Sequence, residues 1–147
     1  MRIDIVERRP VRVACLRYTG PHGEPLGRFW RGTVAPWLAD NGLVDCPRYG
    51  VIVDDTRYDA CIELPAGLPL PDAAETIIRG GHYAITCFKG DHAQVSAAWG
   101  AFGETVVANP VNRLDESRPA FEHMPRGAWC DHRTGVFCCE LCLPVAG

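Results

Sequence analysis

RVACLRYTG (12–20) and HYAITCFKG (82–90) are two versions of one strand. When the chain is laid on itself, Ala14 meets Ala84, Tyr18 meets Phe88 and Gly20 meets Gly90. Each glycine closes its strand where a turn demands an unusual backbone angle. The segment downstream of each strand repeats as well. Leu26, Phe29, Trp30, Val34, Trp37 and Leu38 recur at three- and four-residue spacing, which places them on one helix face. Pro36 should kink or break that helix. Val95, Ala98, Trp99, Phe102 and Val106 keep the same spacing and predict a second helix over 92–108, with Trp30 opposite Trp99 once one gap is allowed.

Two strands are expected after each helix: PRYGVIVDD (47–55) and RYDACIELP (57–65), then PAFEHMPR (119–126) and TGVFCCELCLP (134–144). Pro47 matches Pro119, Tyr49 matches Phe121 and Pro65 matches Pro144. PAGLPLPD (65–72) is read as a linker from its prolines and its lack of period. The chain is therefore expected to be one α+β domain over 1–147, built from two strand-helix-strand-strand repeats at about 1–65 and 73–145. Half of such a molecule leaves a sheet face uncovered, so the halves should pack about a pseudo-two-fold axis, with a ligand cleft between them.

Composition narrows the partners. A net charge of -3 and a pI near 5.9 argue against a protein that grips phosphate backbones, which needs clustered Lys and Arg. No direct nucleic-acid contact is expected. MRIDIVERRPVRVACLRY alternates charged and apolar residues, unlike a signal peptide, and no apolar run is long enough for a bilayer. The eight cysteines are accordingly expected to stay reduced in the cytoplasm, mostly as small buried hydrophobes.

VRVACLRYTGPHGE, FWRGTVAPWL, PRYGVIVDD, AAWGAF, PAFEH and the closing CELCLPV together resemble the GyrI-like small-molecule-binding family, related to effector-binding domains of AraC-type and MerR-type multidrug regulators. The resemblance implies an antiparallel sheet with two helices flanking a central groove. In the regulators the domain follows a helix-turn-helix module, whereas here a strand is expected from residue 2, so this copy is expected to stand alone. Met124 occupies a position of the pocket wall where many relatives carry tyrosine.

The resemblance also implies that Glu140, four residues before Pro144, is the acid that meets a cationic ligand. An independent argument supports attention to it. With period two, Glu140 shares a face with Val136, Cys138 and Cys142, where an unpaired carboxylate costs several kcal/mol. It needs a cation, a proton or a hydrogen-bond partner such as a nearby Arg or His. Aligned on Pro65 and Pro144, its counterpart is Cys61, so the two-fold carries a single acid there. Trp30, Trp99, Tyr49 and Phe121 form symmetric aromatic pairs suited to hold flat cations, or alternatively to fill the core. Trp37 and Trp129 are read as structural.

Cys130, Asp131 and His132 with Cys138, Cys139 and Cys142 invite a zinc reading. Strand geometry opposes it, because Cys139 and Cys142 are three apart and face opposite sides. No metal and no cofactor are expected. His22 and His92 are read as solvated turn residues, and His123 as a hydrogen-bonded histidine near the groove. Three functions remain open: a binding module for lipophilic, cationic small molecules; a hydrolase opening strained cyclopropane rings, with Glu140 donating a proton or activating water; and a protein that contacts DNA gyrase, as the family's namesake is expected to.

Overall fold

The computed structural model describes residues 1–68, 74–128, 130–131 and 133–147. Trp129, His132 and the segment 69–73, with the expected start of the second repeat at 73, lie outside the described residues. The strands are β1 (Asp4–Arg8), β2 (Val11–Thr19), β3 (Arg48–Asp54), β4 (Arg57–Glu63), β5 (Ala74–Ile78), β6 (Gly81–Gly90), β7 (Ala120–Met124), β8 (Cys130–Asp131) and β9 (Val136–Pro144). They form one antiparallel sheet in the order β1-β6-β9-β7-β3-β4-β2-β5, with β8 added beside β9. Exchange β1, β2, β3 and β4 for β5, β6, β7 and β9 and the order reads backwards. The symmetry axis therefore passes between β3 and β7.

Each unit opens on a strand that the repeat alone does not suggest, and the second also contains the short β8. β1 pairs with β6 and β5 pairs with β2, so each half lends its first strand to the other half's edge. Local pattern does not reveal such an exchange, because nothing in a short strand names its partner. The exchange leaves neither half's sheet complete without the other.

The first helical segment runs from α1 (Glu24–Phe29) through a π-helical turn (Trp30–Val34) into α2 (Ala35–Asp40). Pro36 was expected to kink or break this helix; instead the chain widens by one residue just before it. Pro36 has no N–H, and its ring crowds the carbonyl four residues back. The Ala35 N–H instead reaches five residues back, to the Trp30 carbonyl. The buried Val34 and Leu38 then match the buried Phe102 and Val106 of α3 (Val95–Ala108).

The sheet has a different core on each face. On one face α1, the π-helical turn and α2 bury Leu26, Val34 and Leu38 against Tyr58 and Ile62, and α3 buries Phe102 and Val106 against Phe137 and Leu141. Complete burial of a side chain such as Phe102 contributes about 2–3 kcal/mol. The other face joins Val13, Tyr49, Cys61, Tyr83, Phe121 and Cys142 into one cluster drawn from both halves. Cys139 belongs to the helix-side core and Cys142 to the far one, so the two thiols do face opposite sides. Among the described residues, no helix is long and apolar enough to cross a membrane.

Candidate functional site

A cavity of about 740 Å³ opens on the helix side of the sheet. That volume falls within the range of drug-sized ligand sites. Trp30, Arg31 and Leu38 form one wall, Arg48 and Met124 lie at strand ends, and Phe137 lies on the opposite side. The two halves differ sharply here. β3 and β4 are joined by a tight turn, whereas the connection from β7 to β9 makes a long excursion through β8 and adds Pro125, Gly127 and Ala128 to the cavity wall.

At the centre of the sheet, Glu122 of β7 faces Gly50 of β3 across the symmetry axis. Alternation along β7 sends Phe121 and His123 to the far face and Glu122 toward the helices. The carboxylate is 2% exposed. Trp99 donates its Nε1–H to Oε2 at 3.0 Å, and the Tyr58 hydroxyl donates to Oε1 at 2.8 Å. Trp30 in turn donates to the Tyr58 oxygen at 3.3 Å. One acid thus collects an indole from each helical wall, directly on one side and through Tyr58 on the other. Burial pushes its carboxyl above the usual range, although the bonds from Trp99 and Tyr58 pull the other way.

Gly50 is what makes room for this relay. A β-carbon there would collide with the Tyr58 hydroxyl and ring carbon and press on Glu122 Oε1 at 3.0 Å. The cavity wall reaches Trp30 and Met124 but stops short of the carboxylate. Trp30 therefore belongs to both, lining the cavity while tied through Tyr58 to Glu122.

The expected site residues divide between the two faces. Trp30 and Trp99 are half-buried on the helix side and meet at the Glu122 relay. Tyr49 and Phe121 are 2% and 1% exposed in the far core, with ring centroids 5.8 Å apart. Glu140 also lies on that far face. Its Oε1 is 2.7 Å from His123 Nδ1 and 3.8 Å from Arg8 Nη1, and its side chain is one-third exposed. Tyr49 stacks on His123 at 4.8 Å and donates its hydroxyl to Glu63.

Register corrects the counterpart of Glu140. Tyr49 pairs with Cys61 and its repeat partner Phe121 pairs with Cys142, so Cys61 corresponds to Cys142. Val51 pairs with Asp59 and His123 with Glu140, which makes Asp59 the counterpart of Glu140. Matching Pro65 to Pro144 had slipped the strands by two residues, which keeps the face and changes the neighbour. Both halves carry an acid at that position. At Gly50 and Glu122, by contrast, one half alone carries an acid.

Sequence reasoning passed over Glu122, although its signal was present: the same alignment that pairs Tyr49 with Phe121 sets Gly50 against Glu122. The histidines also need correction. His92 is 9% exposed rather than solvated, packed beside Gly27 and Arg31 with its ring 4.5 Å from Phe137. Burial, then the Arg31 charge, lowers its pKa to about 4. His22 is half-buried, its ring edge-on to Tyr58 at 6.0 Å. Among the described residues, no three His, Cys, Asp or Glu side chains converge on a metal position.

Comparison with known proteins agrees with this architecture. A family model described as "GyrI-like small molecule binding domain" matches residues 1–146. No curated protein matches the chain. Among solved structures, SAV2435 bound to tetraphenylphosphonium is 13% identical with a TM-score of 0.63, covering 100% of this chain and 95% of that one. The EcmrR C-terminal domain is 13% identical with a TM-score of 0.72, covering 98% and 96%. EcmrR in complex with DNA is 13% identical with a TM-score of 0.74, covering 99% of this chain and 57% of that one. A hydrolase from Listeria innocua is 10% identical with a TM-score of 0.66, covering 99% and 92%.

Proposed function

The chain belongs to the GyrI-like small molecule binding domain family, and from that premise we propose that it captures lipophilic, cationic compounds in the groove between its halves, with Glu122 as the acid that meets the positive charge. The observation that carries this reading is the carboxylate at the centre of the sheet, bonded directly to Trp99 of one wall and through Tyr58 to Trp30 of the other. A buried carboxylate without a counter-ion is costly, and a bound cation would offset that cost. Trp30 stands between the cavity and the relay, so a ligand that displaces its indole gains access to Glu122. Trp30 and Trp99 then offer faces for cation-π contact and area burial. SAV2435, with a similar fold, binds tetraphenylphosphonium, a lipophilic cation of the class proposed.

Titration with tetraphenylphosphonium, followed by tryptophan fluorescence, tests the proposal. Saturable quenching at one ligand per chain is expected. An unchanged spectrum, with no heat in calorimetry, would remove it.

The raised carboxyl favours a second reading, in which Glu122 donates its proton to one ring carbon of a strained cyclopropane as the C–C bond breaks, water adds to the other carbon, and the proton it releases returns to Glu122. Mass spectrometry separates the two: the binding module returns its ligand intact, whereas the hydrolase yields a product that disappears in Glu122→Gln.

A further inference from the structure

Cys15 of β2 and Cys61 of β4 stand directly opposite each other in the antiparallel register. Their Sγ atoms are 2.8 Å apart. Directly opposed residues of an antiparallel pair have Cα atoms about 4.5–5.5 Å apart, inside the range that a disulfide spans. Both side chains lie on the sheet face away from the groove, where Cys61 is 1% exposed and Cys15 half-buried. A cavity of about 190 Å³ is lined by both, with Asp59 and Arg79 on its wall. The pair has no symmetric copy: in the other half the same register sets Ile85 against Cys142.

We infer that Cys15 and Cys61 form a thiol pair that low-molecular-weight disulfides convert to an intramolecular bridge. Cys15, the more exposed sulfur, attacks the small disulfide; one half joins Cys15 and the other leaves as a thiol carrying the Cys15 proton. Cys61 then attacks Cys15 Sγ, and the second half leaves as a thiol carrying the Cys61 proton. Two protein thiols are oxidised and one small disulfide is reduced to two thiols. The bond to Cys15, then burial, hold the Cys61 thiol protonated in the reduced pair, so Cys15 reacts first and Cys61 attacks only after giving up its proton.

The bridge joins residues 46 apart in sequence and encloses α1, the π-helical turn, α2 and β3, that is, one whole wall of the groove. Oxidation therefore stabilises this half, chiefly by restricting the unfolded chain, without occupying the groove. A disulfide in a reducing compartment usually serves this kind of transient, redox-sensing role.

The test uses the full chain, reduced and then incubated with excess oxidised glutathione. Peptide mapping after alkylation is expected to show Cys15 linked to Cys61, and Tm is expected to rise by about 10 °C. Cys61→Ala should hold glutathione on Cys15 without the gain in Tm. Should that variant fold poorly, Cys15→Ser provides the same contrast, with no bridge and no gain. The exposed Cys87 reports that the oxidant has acted. If Cys87 reacts while Cys15 and Cys61 stay as thiols, if Cys15 keeps its glutathione in the wild type, if either cysteine bridges elsewhere, or if the bridge forms without raising Tm, the inference fails.

Discussion

Gly50 and Glu122 face each other across the axis that relates the two halves, and only one of them carries a carboxylate. The space left by the glycine admits the Tyr58 hydroxyl, which bonds Glu122 Oε1 at 2.8 Å and accepts from Trp30. The centre of the molecule is built from this asymmetry.

Gly50→Ala should therefore act through Tyr58. The new β-carbon meets the hydroxyl and ring of a fully buried tyrosine on a strand locked on both sides, so relief requires the ring to move and the relay to break. Overpacking of this kind costs about 1–3 kcal/mol, to which the lost Tyr58 bond to Glu122 adds. Urea unfolding is expected to show the loss, and a Tm within a degree of wild type would mean that the strands yield more readily than their packing suggests.

The affinity for a permanent cation should rise with pH. Glu122 is held above the ordinary carboxyl range by burial, so the neutral acid predominates at low pH and the charge that attracts a cation appears only as pH climbs past that range. Tetraphenylphosphonium keeps its charge throughout, which isolates the protein's contribution. Calorimetry from pH 5 to pH 8 should give tighter binding at the alkaline end for wild type and a flat profile for Glu122→Gln. The linked effect on the free protein has the opposite sense: with a raised folded pKa, stability from this group is present at low pH and lost as pH rises.

How much of this was legible depends on period and register. The paired strands at 12–20 and 82–90 announced the repeat, and helical spacing set Trp30 and Trp99 on one face, where they lie. The strand exchange was not legible, because β1 and β5 carry alternation without a named partner. The last strand was misread by two residues because two prolines were matched where the ladder sets Cys61 against Cys142. An even slip preserves the face, so Glu140 keeps the face of Cys142, but its neighbours there are His123 and Arg8 and a third of its side chain is open to solvent. Tyr49 and Phe121 were paired correctly, yet their neighbours Gly50 and Glu122 turn to the helices and they turn away.

His92 should shape the acid limb of stability. Its folded pKa of about 4 lies below the unfolded value, so the unfolded chain binds the proton first as pH falls. The stabilisation it carries is complete above about pH 6.5 and drains away toward pH 4, amounting to about 3 kcal/mol. Arg31, Glu24 and Asp91 surround it and bear on the same window. Chemical denaturation of His92→Phe, which keeps a ring against Phe137, should show a shallower slope over that window; an unchanged slope would assign the acid limb to other groups.

Glu140→Gln offers a contrast on the far face. The substitution weakens the contacts to His123 and Arg8 that tie β1 across the sheet to β7. For a pair one-third open to solvent, a loss of about 1 kcal/mol is expected, with tetraphenylphosphonium affinity within about twofold of wild type. A Tm series alongside a binding isotherm on the same preparation checks both halves of this expectation.

The central claim is that Glu122 supplies the charge for a cationic ligand, and the most direct test is the dissociation constant of tetraphenylphosphonium measured at neutral pH for wild type and Glu122→Gln. Gln keeps the shape and an acceptor for Trp99 while removing the charge, so the fold should persist. Losing one charge-assisted contact of about 1.5–3 kcal/mol predicts binding weaker by roughly ten- to hundredfold. Equal affinity in the two proteins, with both folded, would contradict the account.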